Sequence, residues 1–204
     1  MKVAIIDYGM GNLRSVLKAV ESLGGIPFIT QKQRVIQESD KIILPGVGHF
    51  GKCMQNLKQM GLIEILNKEV LEKRKPIMGI CLGMQLMMEH SEEGDVDGLS
   101  WFKGNVIRFH VSDKYKYKVP HMGWNSLNYI KNEIKHNIRN EYYFLHSYHV
   151  TNVNEKDILT TTVYDYEFVS SIQKDNIIGF QFHPEKSHLQ GLQLISDFLN
   201  FANV

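Results

Sequence analysis

Cysteine is scarce in this sequence of 204 residues, and neither sign of charge is in marked excess. The two cysteines, Cys53 and Cys81, are too few for a disulfide framework and are typical of a protein from a reducing compartment. The 23 basic and 22 acidic residues give a net charge of +1, so no overall field draws the chain to nucleic acid. We therefore predict no nucleic-acid partner.

Linkers and long hydrophobic runs are missing as well. No Pro-, Gly- or Ser-rich stretch divides the chain, so we predict one domain over residues 1–204. The apolar run at residues 3–6 ends at Asp7 and is too short for a signal peptide, and no later run is long enough to span a bilayer. We expect a cytoplasmic protein without a membrane partner.

Apolar segments alternate with helical patterns in the first half of the chain. Short buried strands are predicted at residues 3–7, 26–29, 41–44 and 76–80, with helices between them. This alternation predicts an α/β fold with a mostly parallel central sheet flanked by helices. The second half is richer in short strands, which predicts an antiparallel extension of that sheet, and it closes with an amphipathic helix.

Cys81 stands at the turn between the strand at residues 76–80 and a helix predicted at residues 82–89. Gly79 and Gly83 flank it as G-x-C-x-G, the pattern of a nucleophile elbow, in which a strained strand-to-helix turn presents the reactive side chain. The free N–H groups at the start of the helix favour a thiolate. The alternative is a buried structural cysteine, and Cys81 alone does not decide between the two.

A nucleophilic cysteine needs a base, and His183 is the candidate. A predicted strand at residues 177–182 runs into it, and Pro184 favours an extended backbone that places Glu185 on the same side as the imidazole. Glu185 would accept a hydrogen bond from one ring nitrogen and leave the other to face the thiol. A loop with a surface carboxylate is the alternative for these residues alone, but together with Cys81 they predict a Cys-His-Glu catalytic triad.

A thiolate that attacks a carbonyl also needs donors for the oxyanion that forms. The backbone N–H of Leu82 is one predicted donor, because Leu82 opens the helix after Cys81. Gly46 and Gly48 give the Val47 peptide the freedom to offer a second donor. The alternative for this segment is an ordinary strand-to-helix turn.

Motifs between residues 5 and 187, nearly the whole chain, resemble those of the class I (triad) glutamine amidotransferases. The motifs that carry this resemblance are LPGVG at residues 44–48, GICLGMQ at 79–85 and GFQFHPEKS at 179–187. The segments that resemble, more narrowly, the glutaminase subunits of imidazole glycerol phosphate synthases are IIDYGMGNLRSV at 5–16, VPHMGWN at 119–125 and YFLHSYHV at 143–150. The resemblance implies a single domain with the flavodoxin-like fold of that family.

The resemblance also implies roles for individual residues. Positions that bind glutamine in the family correspond here to Gln85 and to the backbone near Ser147 and Tyr148. Positions near a partner subunit correspond to Asn12, Trp124 and Lys186. The alternatives for these last three are a helix cap, a core aromatic and a solvated lysine.

The implied activity is hydrolysis of L-glutamine to glutamate and ammonia through a thioester on Cys81, with no cofactor and no metal. The ammonia would pass to a (β/α)8-barrel cyclase, HisF-like, which makes imidazole glycerol phosphate and an aminoimidazole carboxamide ribotide in histidine biosynthesis. Trp101 and Phe102 depart from the form expected of that subfamily. One alternative is therefore a glutaminase that feeds a different synthase, for instance one amidating a sugar, and another is a non-catalytic regulatory subunit on the same fold.

Overall fold

The computed structural model describes residues 1–130 and 141–201. Its helices are α1 (Leu13–Ser22), α2 (Gln33–Glu38), α3 (Phe50–Gln59), α4 (Leu62–Asn67), α5 (Leu82–Gln85) and α6 (His188–Asn200). Its strands are β1 (Lys2–Ile6), β2 (Ile26–Thr30), β3 (Lys41–Gly46), β4 (Ile77–Cys81), β5 (His90–Ser91), β6 (Val96–Asp97), β7 (Asn105–Arg108), β8 (His121–Ser126), β9 (Asn128–Tyr129), β10 (Glu141–His146), β11 (Tyr148–Thr151), β12 (Ile158–Tyr164), β13 (Tyr166–Lys174) and β14 (Ile177–Phe180). Within the described ranges, no helix combines the length and the apolar character that crossing a membrane requires.

The centre of the sheet is parallel. Strands β2, β1, β3, β4 and β14 lie side by side in that order and run in the same direction. Beyond β14, the neighbours β13, β11 and β7 are antiparallel, and β12 pairs with β13 from outside this path. Strands β10 and β8 form a separate antiparallel pair. The predicted α/β fold, a mostly parallel central sheet with an antiparallel extension, is confirmed.

The side chains of alternate residues in the central strands lie on opposite faces of the sheet. In β1, Ala4 and Ile6 belong to the core that includes α3 and α4, whereas Val3 and Ile5 belong to the core that includes α1 and α6. All four side chains are fully buried. Because both faces are covered, a central strand such as β1 is apolar at each position after its first residue, which is why these segments appear in the sequence as continuous apolar runs.

The helix that follows Cys81 is shorter than predicted. Helix α5 ends at Gln85, whereas the sequence pattern extends to residue 89. The carbonyls of Leu86, Met87 and Met88 accept hydrogen bonds from the backbone of residues 99–102 and do not continue a helical ladder. Pairing with a distant loop has overridden the local helical pattern.

The chain passes from one sheet to the other at Ser147. Strand β10 ends at His146 and pairs with β8, whereas β11 begins at Tyr148 and lies in the main sheet between β13 and β7. The turn between these strands therefore joins the two-stranded sheet to the large one.

The carboxyl ends of β3, β4 and β14 meet at one edge of the sheet. Gly46, the last residue of β3, pairs with Cys81, the last residue of β4. Ile80 pairs in turn with Phe180, the last residue of β14, and His183 follows three residues later. Reactive groups of open α/β sheets gather at this kind of edge. The topology thus brings Cys81 and His183 to the same edge from positions about a hundred residues apart in the chain.

Candidate active site

Cys81 has the strained backbone of a nucleophile elbow. Its φ of 54° and ψ of −111° lie in a region that L-residues rarely occupy. A Cβ on Gly83 would lie 1.8 Å from the Leu44 carbonyl oxygen, and one on Gly79 would lie 2.8 Å from the Gly83 oxygen. Only glycine therefore fits at the two flanking positions, as the G-x-C-x-G pattern predicts.

His183 is held by its backbone and by Glu185. Its N–H donates to the Tyr143 carbonyl at 2.9 Å, and its own carbonyl accepts from the Ser187 hydroxyl at 2.6 Å. Nδ1 of the ring lies 2.9 Å from Glu185 Oε1, and both side chains are almost wholly buried. The backbone of His183 is extended, as predicted, but Glu185 lies in a 3-10 turn (Pro184–Lys186) and not in an extended chain. The carboxylate reaches the imidazole in this geometry as well.

The second ring nitrogen of His183, Nε2, is available to interact with the thiol of Cys81. Nε2 is buried and has no hydrogen-bond partner among the described residues. Burial lowers the pKa of His183, but the charge interaction with Cys81, and then the interactions with Glu185, outweigh burial and raise this pKa to about 10. Cys81 and the ring therefore lie within electrostatic range of each other. A pKa this high makes His183 an imidazolium at neutral pH.

The pH dependence of stability should report on this pair. The pKa of His183 is raised from 6.5 to about 10, so between these values the native state keeps a proton that the unfolded state has lost. The stabilisation is complete below pH 6.5 and is lost as the pH rises toward 10. In Cys81→Ala the free energy of unfolding should therefore fall less across this window, which urea unfolding at a series of pH values measures. NMR titration of the His183 ring is the direct check, and a wild-type pKa near 6.5 would contradict the arrangement.

A cavity of about 260 Å³ opens beside Cys81. Residues of the predicted oxyanion and glutamine sites that line it are Val47, Gly48, Leu82, Gln85, Ser147 and Tyr148. Gly46 does not line it but packs against the turn, since a Cβ there would lie 2.6 Å from the Gly83 nitrogen. His183 and Glu185 are buried and do not line it either. The structure thus places Cys81 and six other predicted site residues around one cavity, with Gly46, His183 and Glu185 outside its lining.

Gln85 directs its amide nitrogen into the protein. Nε2 donates to the Tyr148 carbonyl at 2.8 Å and to Gln181 Oε1 at 2.9 Å. Both protons of this amide are therefore engaged. The Tyr148 carbonyl also accepts from Nδ1 of His146 at 2.8 Å. Gln85 and His146 together fix the peptide that follows the crossing point at Ser147.

Sequence reasoning missed two neighbours of Cys81 and one further residue of the cavity. The sulfur donates to the Leu145 carbonyl at 3.6 Å, and Gln181 donates from Nε2 to the sulfur at 3.7 Å. His146 lines the cavity. A signal for Gln181 was present, because it is a lone polar residue between Phe180 and Phe182, and a buried amide needs partners. The other two depend on how β10 is paired, which the local sequence does not encode.

His146 forms a buried pair with His121. Its Nδ1 donates to a carbonyl, so its Nε2 is the acceptor for Nδ1 of His121, 3.1 Å away. Burial lowers the pKa of both residues, that of His121 to about 4. The pair is therefore neutral at ordinary pH and connects β8 to the cavity. Among residues 1–130 and 141–201, no group of three or more His, Cys, Asp or Glu side chains is arranged to hold a metal.

The predicted partner-facing residues lie outside the cavity. Trp124 is 44% exposed and stacks on His188 with ring centroids 4.9 Å apart, so its interpretation as a core aromatic is wrong. Nζ of Lys186 lies 5.7 Å from the centre of the Tyr143 ring, which also contacts Trp124. Asn12 precedes α1, where its Oδ1 accepts from the Ser15 hydroxyl at 3.0 Å. Trp124 and Lys186 thus share a surface around Tyr143.

Comparison with known proteins places the chain in a family. The family described as glutamine amidotransferase class-I matches residues 4–201. The imidazole glycerol phosphate synthase subunit HisH 2 of Methanococcus maripaludis is 46% identical over 203 residues, which is 98% of this chain and 100% of the relative. The chain belongs to the class-I glutamine amidotransferases, and to the HisH family among them.

Further relatives agree with this assignment. The HisH subunit of Sulfurimonas denitrificans is 45% identical over 206 residues, covering 99% of each chain. A crystal structure of a glutamine amidotransferase superposes with a TM-score of 0.74 and covers 97% of both chains at 15% identity. At that identity the likeness concerns the fold alone, and it agrees with the sheet described above for this HisH-family protein.

Proposed function

We propose that Cys81, His183 and Glu185 form the triad with which this HisH-family amidotransferase hydrolyses L-glutamine. One observation carries the proposal: a cysteine on a strained elbow lies within interaction range of a buried imidazole that is itself bound to a carboxylate. A structural cysteine needs neither the strained backbone nor the neighbouring imidazolium. We assign residues 1–204 to one glutamine amidotransferase domain.

The geometry supports a two-step reaction. The sulfur of Cys81 attacks the side-chain amide carbon of glutamine, and the backbone N–H groups of Leu82 and Val47 stabilise the oxyanion. His183 gives its Nε2 proton to the leaving nitrogen, so that ammonia departs and a γ-glutamyl thioester remains. Water then gives a proton back to Nε2 and attacks the thioester, which releases glutamate and the sulfur. Glu185 holds the ring through Nδ1 in both steps.

Gln85, Ser147 and Tyr148 are the proposed glutamine-binding residues. The carbonyl of Tyr148 is engaged by Gln85 and His146, and the carbonyl of Ser147 accepts from the Phe109 N–H at 3.0 Å. The Tyr148 carbonyl thus uses both of its lone pairs, so contacts from Tyr148 to glutamine would come from its other atoms, whereas the Ser147 carbonyl keeps one lone pair.

The ammonia acceptor is proposed from the relatives, which are named as subunits of imidazole glycerol phosphate synthase. We assign this chain the glutaminase role in a cytoplasmic heterodimer with a (β/α)8-barrel cyclase of histidine biosynthesis. Met122 and Trp124 lie two residues apart on β8, hence on the same face of the strand, and are 66% and 44% exposed, so together they offer a partner an apolar contact. Lys186 and Asn12 are proposed to lie at the same interface.

The alternatives are less well supported. The departure from the subfamily form at Trp101 and Phe102 lies in the core, where Trp101 donates from Nε1 to Asn67 at 2.8 Å. Because Trp101 and Phe102 are buried, they cannot contact a partner subunit, so they do not favour a sugar-amidating synthase. A non-catalytic subunit would not need His183 and Glu185 buried beside Cys81.

The partner assignment predicts that a HisF-like cyclase activates glutamine hydrolysis. Allosteric coupling typically changes a binding affinity about 5- to 150-fold, and we expect an effect of similar size here, so that glutamate release rises by at least about tenfold when the cyclase is added. Trp124→Ala should weaken this activation, whereas Tyr115→Ala, at a 93% exposed aromatic outside β8, should not. Equal glutamate release with and without the cyclase would contradict the coupling.

A further inference from the structure

Gln181 follows β14 directly and is fully buried beside the sulfur of Cys81. We propose that Gln181 is a further active-site residue: it stabilises and aims the Cys81 thiolate through its side-chain N–H, and Gln85 fixes its orientation. This inference rests on the proposed function, because it assigns a role within the same reaction. The supporting contacts are the 3.7 Å distance from Gln181 Nε2 to Sγ and the 2.9 Å distance from Gln85 Nε2 to Gln181 Oε1.

The hydrogen-bond network determines which way the Gln181 amide points. The Tyr148 carbonyl can only accept, so the atom of Gln85 that faces it must be the amide nitrogen. The same nitrogen faces Gln181, whose near atom must therefore be the oxygen. The NH₂ group of Gln181 is then directed to the sulfur. A flipped amide would place two donors against each other and an oxygen against a thiolate, so no second arrangement satisfies the network.

The donor matters most when the sulfur is charged. A thiol at Cys81 donates to the Leu145 carbonyl at 3.6 Å. A thiolate has no proton to donate, so its negative charge would be repelled by the partial negative charge of that oxygen. The N–H of Gln181 is favourable to the charged sulfur, and a hydrogen bond to the charged form of a group favours that form. Gln181 therefore works in the direction opposite to Leu145 and supports the reactive state.

Gln181 also connects the sulfur to the wall of the cavity. Gln85 lines the cavity and donates to both Tyr148 and Gln181. The strained turn at Cys81 does not fix the rotation of the side chain, whereas a buried donor in a fixed position does. The direction of attack on the substrate is thus set by the network Tyr148, Gln85, Gln181 and Cys81.

The reactivity of Cys81 toward iodoacetamide tests this role without a substrate or a partner. Gln181→Met removes the donor at similar size, and Gln181→Glu keeps an acceptor for Gln85 but sets a carboxylate against the sulfur. We expect Gln181→Met to slow alkylation at pH 7 about tenfold and to move the midpoint of the pH profile up by about one unit, and Gln181→Glu to do more. Gln173→Met, at a half-buried position on β13, is the matched control and should leave the profile unchanged.

The outcomes separate this inference from the proposed function. A folded Gln181→Met with the wild-type alkylation profile would overturn it. Should both Gln181 variants fail to fold, the side-chain amide ¹⁵N signal of Gln181 in the wild type decides: it should titrate together with Cys81 and lose this titration in Cys81→Ala, and a signal that does not change with pH would overturn the inference. If the alkylation results are as expected but no synthase elicits glutamate release, the proposed function fails and the role of Gln181 at the sulfur stands.

Discussion

Replacing Cys81 by serine should abolish glutamine hydrolysis. Loss of the nucleophile from a catalytic triad costs about a millionfold in other enzymes, and we expect a loss of at least about ten-thousandfold here. Serine keeps the size of the side chain and its place on the elbow, but its hydroxyl is a far weaker nucleophile than a thiolate beside an imidazolium. The measurement is glutamate release from glutamine in the presence of the cyclase partner.

Cys53→Ser is the matched control for this substitution. Cys53 lies in α3 with its side chain fully buried, and burial raises the pKa of its thiol to about 11. A thiol of this kind is unreactive, so the variant should keep its activity wherever it remains folded. The Cys81→Ser protein should still bind the cyclase and leave it able to use free ammonia. Glutamine-dependent turnover by Cys81→Ser within about tenfold of the wild type would disprove the assignment of the nucleophile.

Features encoded by neighbouring residues could be predicted from the sequence. The elbow follows from Gly79, Cys81 and Gly83 within one turn, and the His183–Glu185 contact joins residues two apart. The parallel sheet follows from apolar runs alternating with helical patterns, because each pattern reflects the burial of its own segment. Local patterns were sufficient wherever the partners of a residue lie near it in the chain.

Features that depend on distant pairing could not be predicted in this way. Gln181 and Cys81 are 100 residues apart, and His121 and His146 meet only because β8 and β10 pair in one register. The early end of α5 depends on hydrogen bonds from residues 99–102. In each case a polar or helical signal was visible in the sequence, but its partner is chosen by the tertiary fold.

Gly83→Ala should damage both the stability and the activity of the protein. A Cβ at this position would lie 1.8 Å from the Leu44 carbonyl oxygen and 2.9 Å from the carbon of that carbonyl. Both are backbone atoms of β3, a fully buried strand, so neither can swing aside as a side chain would. Overpacking a core costs about 1–3 kcal/mol and occasionally more, and we expect at least about 3 kcal/mol for a contact with rigid backbone. Thermal unfolding should shift down by about 10 °C in a protein of this size.

The activity loss should exceed what stability alone explains. Leu44 lies in β3, and Val47 follows the last residue of that strand, so a displaced β3 would move the proposed oxyanion donor relative to Cys81. A shift of about 1 Å in such a group can cost a hundredfold in rate. The matched control is Gly51→Ala in α3, where the nearest atoms to a new Cβ are at ordinary contact distances of 3.4 Å or more. Alanine in that helix should be neutral or stabilise the fold by up to about 1 kcal/mol. A Gly83→Ala protein as stable and active as Gly51→Ala would mean that β3 and the elbow are not packed as described. The placement of Val47 beside the sulfur would then be wrong as well.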